Sequence, residues 1–195
     1  MAEVATVAVI GAGRLGRSLA HLAALGGYRT LLEDLLPSSL RKAEDEFRST
    51  LDRVTGSGEV SAENARSAFR RLKYAGSVEE AARHADLVIE AVPDELESKS
   101  EIFILLDKIC RPATILVTST AALSVSQLAS VTYRAGKCVG MRFVHPVLEL
   151  KRVELVRGRE TSDETLEAAS AVGKKMGKEI VVVEDITATW PEFSV

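Results

Sequence analysis

Thr6-Val7-Ala8-Val9-Ile10 runs straight into Gly11-Ala12-Gly13-Arg14-Leu15-Gly16, and the residues beyond take up helical spacing at Leu15, Leu19, Leu22 and Leu25. No other stretch constrains the chain as tightly. The β-branched and small apolar run predicts a buried strand, and a Gly-x-Gly-x-x-Gly turn that opens a helix predicts a strand–turn–helix unit. In such a unit Gly11 makes the tight turn, Gly13 lets a pyrophosphate approach the backbone at the helix N-terminus, and Gly16 lets helix and strand pack closely.

Three glycines at a turn need only mean a turn. The next acidic position adds the weight. A second apolar run, Thr30-Leu31-Leu32, ends in Glu33-Asp34, and Asp34 stands eighteen residues past Gly16. A carboxylate at that distance is placed to bond a ribose, so the two features together predict a dinucleotide site. Two acids there repel a 2′-phosphate, which makes NAD rather than NADP the expected cofactor. Arg29, the one cation close by, is expected at the start of the second strand, away from the ribose.

A chain of 195 residues with 46% apolar and 27% charged residues has room for one good core. Its net charge of −3 gives no reason to expect nucleic acid or an anionic membrane as a partner. Cys110 and Cys138 stand in apolar surroundings without metal-ligand spacing, and are expected to be buried thiols in a reducing compartment. The first strand begins too close to Met1 for a signal peptide, and no apolar run reaches spanning length. On these grounds the expected location is the cytoplasm.

Beyond Asp34, Pro37-Ser38-Ser39 signals a helix start, followed by Leu40, Ala43, Phe47, Leu51 and Val54 at helical spacing. Gly56-Ser57-Gly58 breaks it, and a second helix is expected from Ser61 through Ala65 and Ala68 to Leu72. Further strands are expected at 73–75, 86–92, 114–117, 138–143, 153–156 and 180–183, the last at a sheet edge. Capping boxes at Ser77–Glu80, Ser124–Gln127 and Thr161–Glu164 mark three helices between them, and Pro112 is expected to end the helix that begins near Glu95. Alternation of this kind predicts an α/β, Rossmann-type doubly wound, mostly parallel sheet with an inserted helical pair after strand 2. The ligand crevice is then expected outside the C-terminal strand ends, where Gly11–Gly16, Asp34, 91–94, 118–121 and 142–145 converge. One domain over 1–185 and a tail over 186–195 are expected.

The wording of these segments resembles the NAD-binding domain of the L-3-hydroxyacyl-CoA dehydrogenases. The likeness runs from Val7 to about Asp185 and rests on Val9 to Gly16, Asp86-Leu87-Val88-Ile89-Glu90-Ala91-Val92-Pro93, Glu101 to Asp107, Gly140-Met141, Val153 to Gly158 and Thr161 to Thr165. The resemblance implies a cofactor set of Gly11, Gly13, Arg14, Leu15, Gly16, Asp34, Ala91, Asp94, Lys99 and Thr120, with Asp94 standing where the family has Glu. A plainer reading makes Lys99 a solvated helix lysine paired with Glu95. The resemblance also implies oxidation of a 3-hydroxyl by hydride transfer to NAD, with an acyl-CoA as the second ligand.

Departures fall on the chemistry. Aligned without gaps, the family's orienting glutamate falls on Glu154, its base histidine on Arg142, a substrate-side serine on Ala121 and the asparagine after the histidine on His145. A guanidinium is no general base at neutral pH. Two readings stay open: Arg142 holds an anionic or carbonyl group while His145 has taken the base role, or Arg142 and Glu154 form an ion pair in a site that no longer oxidises. The family's Pro-Gly-Phe turn into a helical domain is not found after Asp185, so weak or no turnover is expected, with a non-catalytic NAD-binding or interaction module as the alternative. Uncovered apolar residues near Val144, Pro146, Val147, Leu148 and Leu150, with Trp190 and Phe193 in the tail, suggest a homo-oligomer or a separate partner chain.

Overall fold

Strand and helix alternate as β1 (Thr6–Ile10), α1 (Arg14–Leu25), β2 (Arg29–Glu33), α2 (Pro37–Gly56), α3 (Ala62–Arg71), β3 (Leu72–Ala75), α4 (Val78–Ala82), β4 (Leu87–Glu90), α5 (Leu96–Ile109), β5 (Ile115–Thr118), α6 (Val125–Ala129), β6 (Cys138–Phe143), β7 (Arg152–Arg157), α7 (Asp163–Lys175) and β8 (Glu179–Glu184). This is a computed structural model that describes residues 3–144 and 146–185. The strands form one sheet in the order β3-β2-β1-β4-β5-β6-β7-β8. Pairing is parallel from β3 across to β6, antiparallel between β6 and β7, and parallel again between β7 and β8. The chain therefore winds outward in both directions from β1 and β4, and the crevice opens where their C-terminal ends part.

Period-two alternation divides the core. Val7 and Val9 face a cluster built with Leu19 and Ala23 of α1, Phe47 of α2, Ala68 of α3 and Val172 of α7. Ala8 and Ile10 face the other side, with Phe103 and Leu106 of α5 and Leu128 of α6. Both faces are covered, which is why strands β4 and β5 read as unbroken apolar runs. The inserted pair α2–α3 extends the first layer through Phe47, and its polar faces are left to solvent.

The expected strands are all present, and β8 lies at the edge with Val181 and Val182 exposed. Several boundaries differ for local reasons. Ser162, not Thr161, caps α7 by accepting the Thr165 amide at 3.2 Å. The Thr161 hydroxyl instead donates to Cys138 O at 2.6 Å and accepts from the Gly158 amide, tying the helix start to β6. Helix α5 stops at Ile109, before Pro112, and α3 stops at Arg71, so that Leu72 opens β3. Ser77 and Ser124 cap as expected, accepting from Glu80 and Gln127. Both cysteines are buried and free, and burial pushes their thiols up to about 11.

The segment after β6 is better covered than its sequence suggests. Val147 is buried in the core, and Leu148 packs against it, while Val144 and Leu150 stay exposed. Lys178, buried beneath this segment, donates its ammonium hydrogens to the carbonyls of Val147 and Leu150. The tail with Trp190 and Phe193 lies outside the described residues.

His21, on the buried side of α1, is stacked on Phe47 at 4.6 Å and donates from Nε2 to the Ala43 carbonyl at 3.1 Å. Burial lowers its pKa to about 4. A folded pKa below the ordinary value means the unfolded chain takes up the proton first, so stability falls as pH drops from about 6.5 to about 4. His21→Phe keeps the stacking and removes the titration. Denaturant unfolding at pH 7 and pH 4 should show the parent losing on the order of 3 kcal/mol more than the variant over that interval.

Candidate functional site

Gly11 follows β1 with φ +97°, a conformation that disfavours any side chain, and its amide donates to Glu33 O at 2.9 Å. Contact leaves no room either. A Cβ on Gly11 would fall 2.8 Å from Ala91 O, and one on Gly16 would fall 1.8 Å from Gly11 O. Gly13 is different, since a Cβ there would meet nothing within 4 Å. Gly13 also N-caps α1 with no side-chain cap, and no acidic residue stands in the first turn. The helix thus presents unsatisfied amides and its positive dipole end to an open space, the requirements of a phosphate site. Arg17, which the sequence reading passed over, braces this turn by donating to Ala12 O at 2.7 Å and to Glu46 of α2 at 2.7 Å. Its only sequence signal is its place one helical turn past Gly13.

Asp34 reaches the same turn from the end of β2. Its carboxylate accepts the Ala12 amide at 2.7 Å and the Leu36 amide at 2.9 Å, which fixes it at the rim of the crevice. Arg29 opens β2 at the opposite end of that strand, as expected. The crevice measures about 760 Å³ and is lined by Gly13, Arg14, Leu15, Asp34 and Ala91, with apolar walls from Val78, Val92, Ile102 and Leu105. Glu33 also lines it. That side chain is 2% exposed, its Oε1 is sealed from solvent without a hydrogen-bond partner among the described residues, and burial beside Asp34 raises its pKa to about 7.

At the other side of the opening, Glu90 ends β4 fully buried. Its Oε1 accepts from Lys99 Nζ at 2.7 Å and from the Val92 amide at 2.8 Å, and its Oε2 accepts from the Thr118 hydroxyl at 2.9 Å. Desolvation pushes the Glu90 carboxyl upward in pKa, and the Lys99 ammonium opposes it. Lys99 is therefore neither solvated nor paired with Glu95. It lies under the 91–94 loop, 1% exposed, with its ammonium also near Val92 O at 3.3 Å and Asp94 at 3.7 Å. Asp94 accepts the Ala121 amide at 3.1 Å and so joins this loop to the next one. Thr120 is buried, and its hydroxyl accepts from the Leu123 amide at 2.9 Å, shaping the loop from inside.

Arg142 and Glu154 face each other across β6 and β7, in register as antiparallel partners. The ion pair of the second of the two readings is not formed between them. Glu154 accepts from Arg152 at 3.2 Å instead, and the Nε of Arg142 is buried with no hydrogen-bond partner among the described residues. Arg142 of β6 and Arg152 of β7 lie on the same face of the sheet as Glu154, and Arg152, two residues from it on its own strand, takes the carboxylate. Ala121 is exposed at the loop joined to Asp94. His145 lies outside the described residues. Among the described residues no group of His, Cys, Asp and Glu could hold a metal, and no helix is long and apolar enough to cross a membrane.

A model of the 3-hydroxyacyl-CoA dehydrogenase NAD binding domain matches residues 6–186. The chain belongs to this family. A probable 3-hydroxybutyryl-CoA dehydrogenase of Bacillus subtilis (strain 168) is 36% identical over 183 residues, covering 94% of this chain and 63% of that protein. The 3-hydroxyadipyl-CoA dehydrogenase of Escherichia coli (strain K12) is 34% identical over 181 residues, covering 93% of this chain and 38% of that one. Among solved structures, the (S)-3-hydroxybutyryl-CoA dehydrogenase of Ralstonia eutropha superposes with a TM-score of 0.89 at 32% identity, over 94% of this chain and 64% of the other. This chain spans less than two thirds of the length of these relatives. The cofactor of the family's matched domain is NAD, and the turn here fits it: an open space at Gly13, uncapped helix amides and a rim carboxylate at Asp34.

Removing one partner of the buried pair at the crevice should be costly. Lys99→Met leaves the Glu90 carboxylate uncompensated, a loss of about 3–5 kcal/mol by denaturant unfolding. The double variant Lys99→Met with Glu90→Gln should recover a large part of that loss.

Proposed function

We infer that the chain binds NAD along Gly11–Gly16 and Asp34, in preference to NADP, and that alone it supports little oxidation of a 3-hydroxyacyl-CoA. The carrying observation is the contrast within the turn: Gly11 and Gly16 are closed by contact, while Gly13 faces open space beside Asp34. The Asp34 carboxylate suits a ribose hydroxyl donor and repels a 2′-phosphate. Isothermal calorimetry should find NADP at least about tenfold weaker than NAD, with the gap narrowed in Asp34→Asn, because a charge is removed while one acceptor oxygen remains. Gly13→Val, whose Cβ would meet nothing within 4 Å, should stay folded and lose NAD. Equal affinity for both nucleotides, or a folded Gly13→Val variant that still binds, would overturn the assignment.

When bound, the nicotinamide supplies a hydride acceptor. The protein must then take a proton from the alcohol, and a group with a pKa near neutrality does this best. A guanidinium is no general base, so the side chain at 142 is suited to hold a carbonyl or carboxylate oxygen. Glu154, bonded to Arg152, has no imidazole at position 142 to orient. His145 remains the base candidate read from sequence, and an acyl-CoA the second ligand, since the relatives' names specify hydroxyacyl-CoA substrates. A second reading follows from Arg142: an NAD-binding module without turnover, acting through a second copy or a separate partner chain. A reducing cytoplasm accords with the two free buried thiols.

Arg142→His tests the base position directly. It restores an imidazole opposite Glu154, and general base catalysis contributes roughly 10²–10⁴-fold where geometry permits. Oxidation of 3-hydroxybutyryl-CoA should rise above the parent. A parent that already turns over at ordinary dehydrogenase rates would contradict the weak-activity reading.

A further inference from the structure

Glu33 is the one buried ionisable side chain lining the crevice that has no hydrogen-bond partner for a sealed oxygen among the described residues. Asp34 is bonded to the Ala12 and Leu36 amides, and Arg14 opens α1 toward solvent. Glu33 is 2% exposed, lines the crevice, and has no hydrogen-bond partner for Oε1 among the described residues. The elements around it contribute Ile10 of β1, Val78 of α4, and Ile102 and Leu105 of α5, all apolar, and the adjoining residue of β3 is Ala75. A carboxyl group walled in this way is expensive unless something polar meets it. The sequence gives no structural need for it, because an apolar residue would complete the strand's buried face.

Only one part of a dinucleotide is left to meet it. With the pyrophosphate at Gly13 and the ribose at Asp34, the apolar walls beyond Asp34 are left for the purine. Adenine is flat and apolar on its faces and carries a donor amine beside acceptor ring nitrogens on its edge. We propose that Glu33 reads the adenine edge, accepting a hydrogen bond from the exocyclic amine, and so selects adenine over 6-oxopurine dinucleotides. A protonated carboxyl also donates to a neighbouring ring nitrogen, which gives the same donor–acceptor pairing that Gln offers adenine. Burial and Asp34 hold Glu33 near the midpoint between these forms, at about 7, and both accept from the amine. The 6-oxopurine presents a carbonyl at that position, which the ionised carboxylate meets acceptor to acceptor.

This assignment rests on the NAD reading, and calorimetry on the intact chain separates the two. The probes are NAD and nicotinamide hypoxanthine dinucleotide, which differ at the purine 6-position. The parent should favour NAD by about tenfold or more. Glu33→Gln should keep NAD bound and narrow that preference, since its amide carries a donor that can meet a 6-oxo group. Glu33→Val should bring the two affinities within about threefold, through loss of the hydrogen bond and not of the fold, which circular dichroism verifies. Equal affinities in the parent, or a preference that survives Glu33→Val, would overturn the role of Glu33 and leave NAD binding standing. A parent that binds neither dinucleotide would remove both.

Discussion

The Glu90 carboxylate is the knot by which the crevice keeps its shape. Three elements end on it: α5 through Lys99, the loop after β4 through the Val92 amide, and β5 through Thr118. The Ser119 amide adds a bond to the Glu90 carbonyl. A buried ion pair is weak evidence for stability, because desolvation offsets much of the attraction. What it provides here is position. Ala91, the next residue, has its carbonyl 2.8 Å from where a Cβ of Gly11 would stand and its own Cβ 3.3 Å from where one of Gly16 would stand. A shift of the β4 end by a fraction of an ångström would press on the glycine turn, so the motif depends on a pair of charges, Glu90 and Lys99, far along the chain.

How far the sequence disclosed this differs from residue to residue. The strand–turn–helix unit was legible because glycine spacing and apolar periodicity report backbone geometry directly, and Asp34 followed from its distance to the turn. The caps at Ser77 and Ser124 were legible for the same local reason. Thr161 misled by one residue because its hydroxyl bonds to Cys138 O in β6, a contact of the folded sheet and not of the helix. Lys99 and Glu33 carry charges that composition would put in water. Their burial is set by what packs over them, and no window of local sequence contains that. His21 is similar: its neighbours Ala43 and Phe47 come from α2.

The Arg142–Glu154 relation shows how little a shared fold dictates about the polar side chains it brings together. The register that brings these two positions opposite each other is a property of β6 and β7, and main-chain hydrogen bonds maintain it whatever the side chains are. The side chains then settle by local competition, and Arg152 takes the carboxylate. Family membership is therefore carried by the sheet and the glycine turn, while reaction chemistry is carried by a few polar positions at the strand ends that the fold does not need.

The two amide bonds of Asp34 bear on any attempt to redesign the cofactor preference. A charge reversal at this position would remove the repulsion toward a phosphate, but it would also release the Ala12 and Leu36 amides that the carboxylate restrains. The affinity gained for one nucleotide would come with a loosened turn that both nucleotides share. An engineer would do better to leave an acceptor at 34 and introduce the cation on a neighbouring exposed residue such as Leu35, which is 84% exposed and free of such duties.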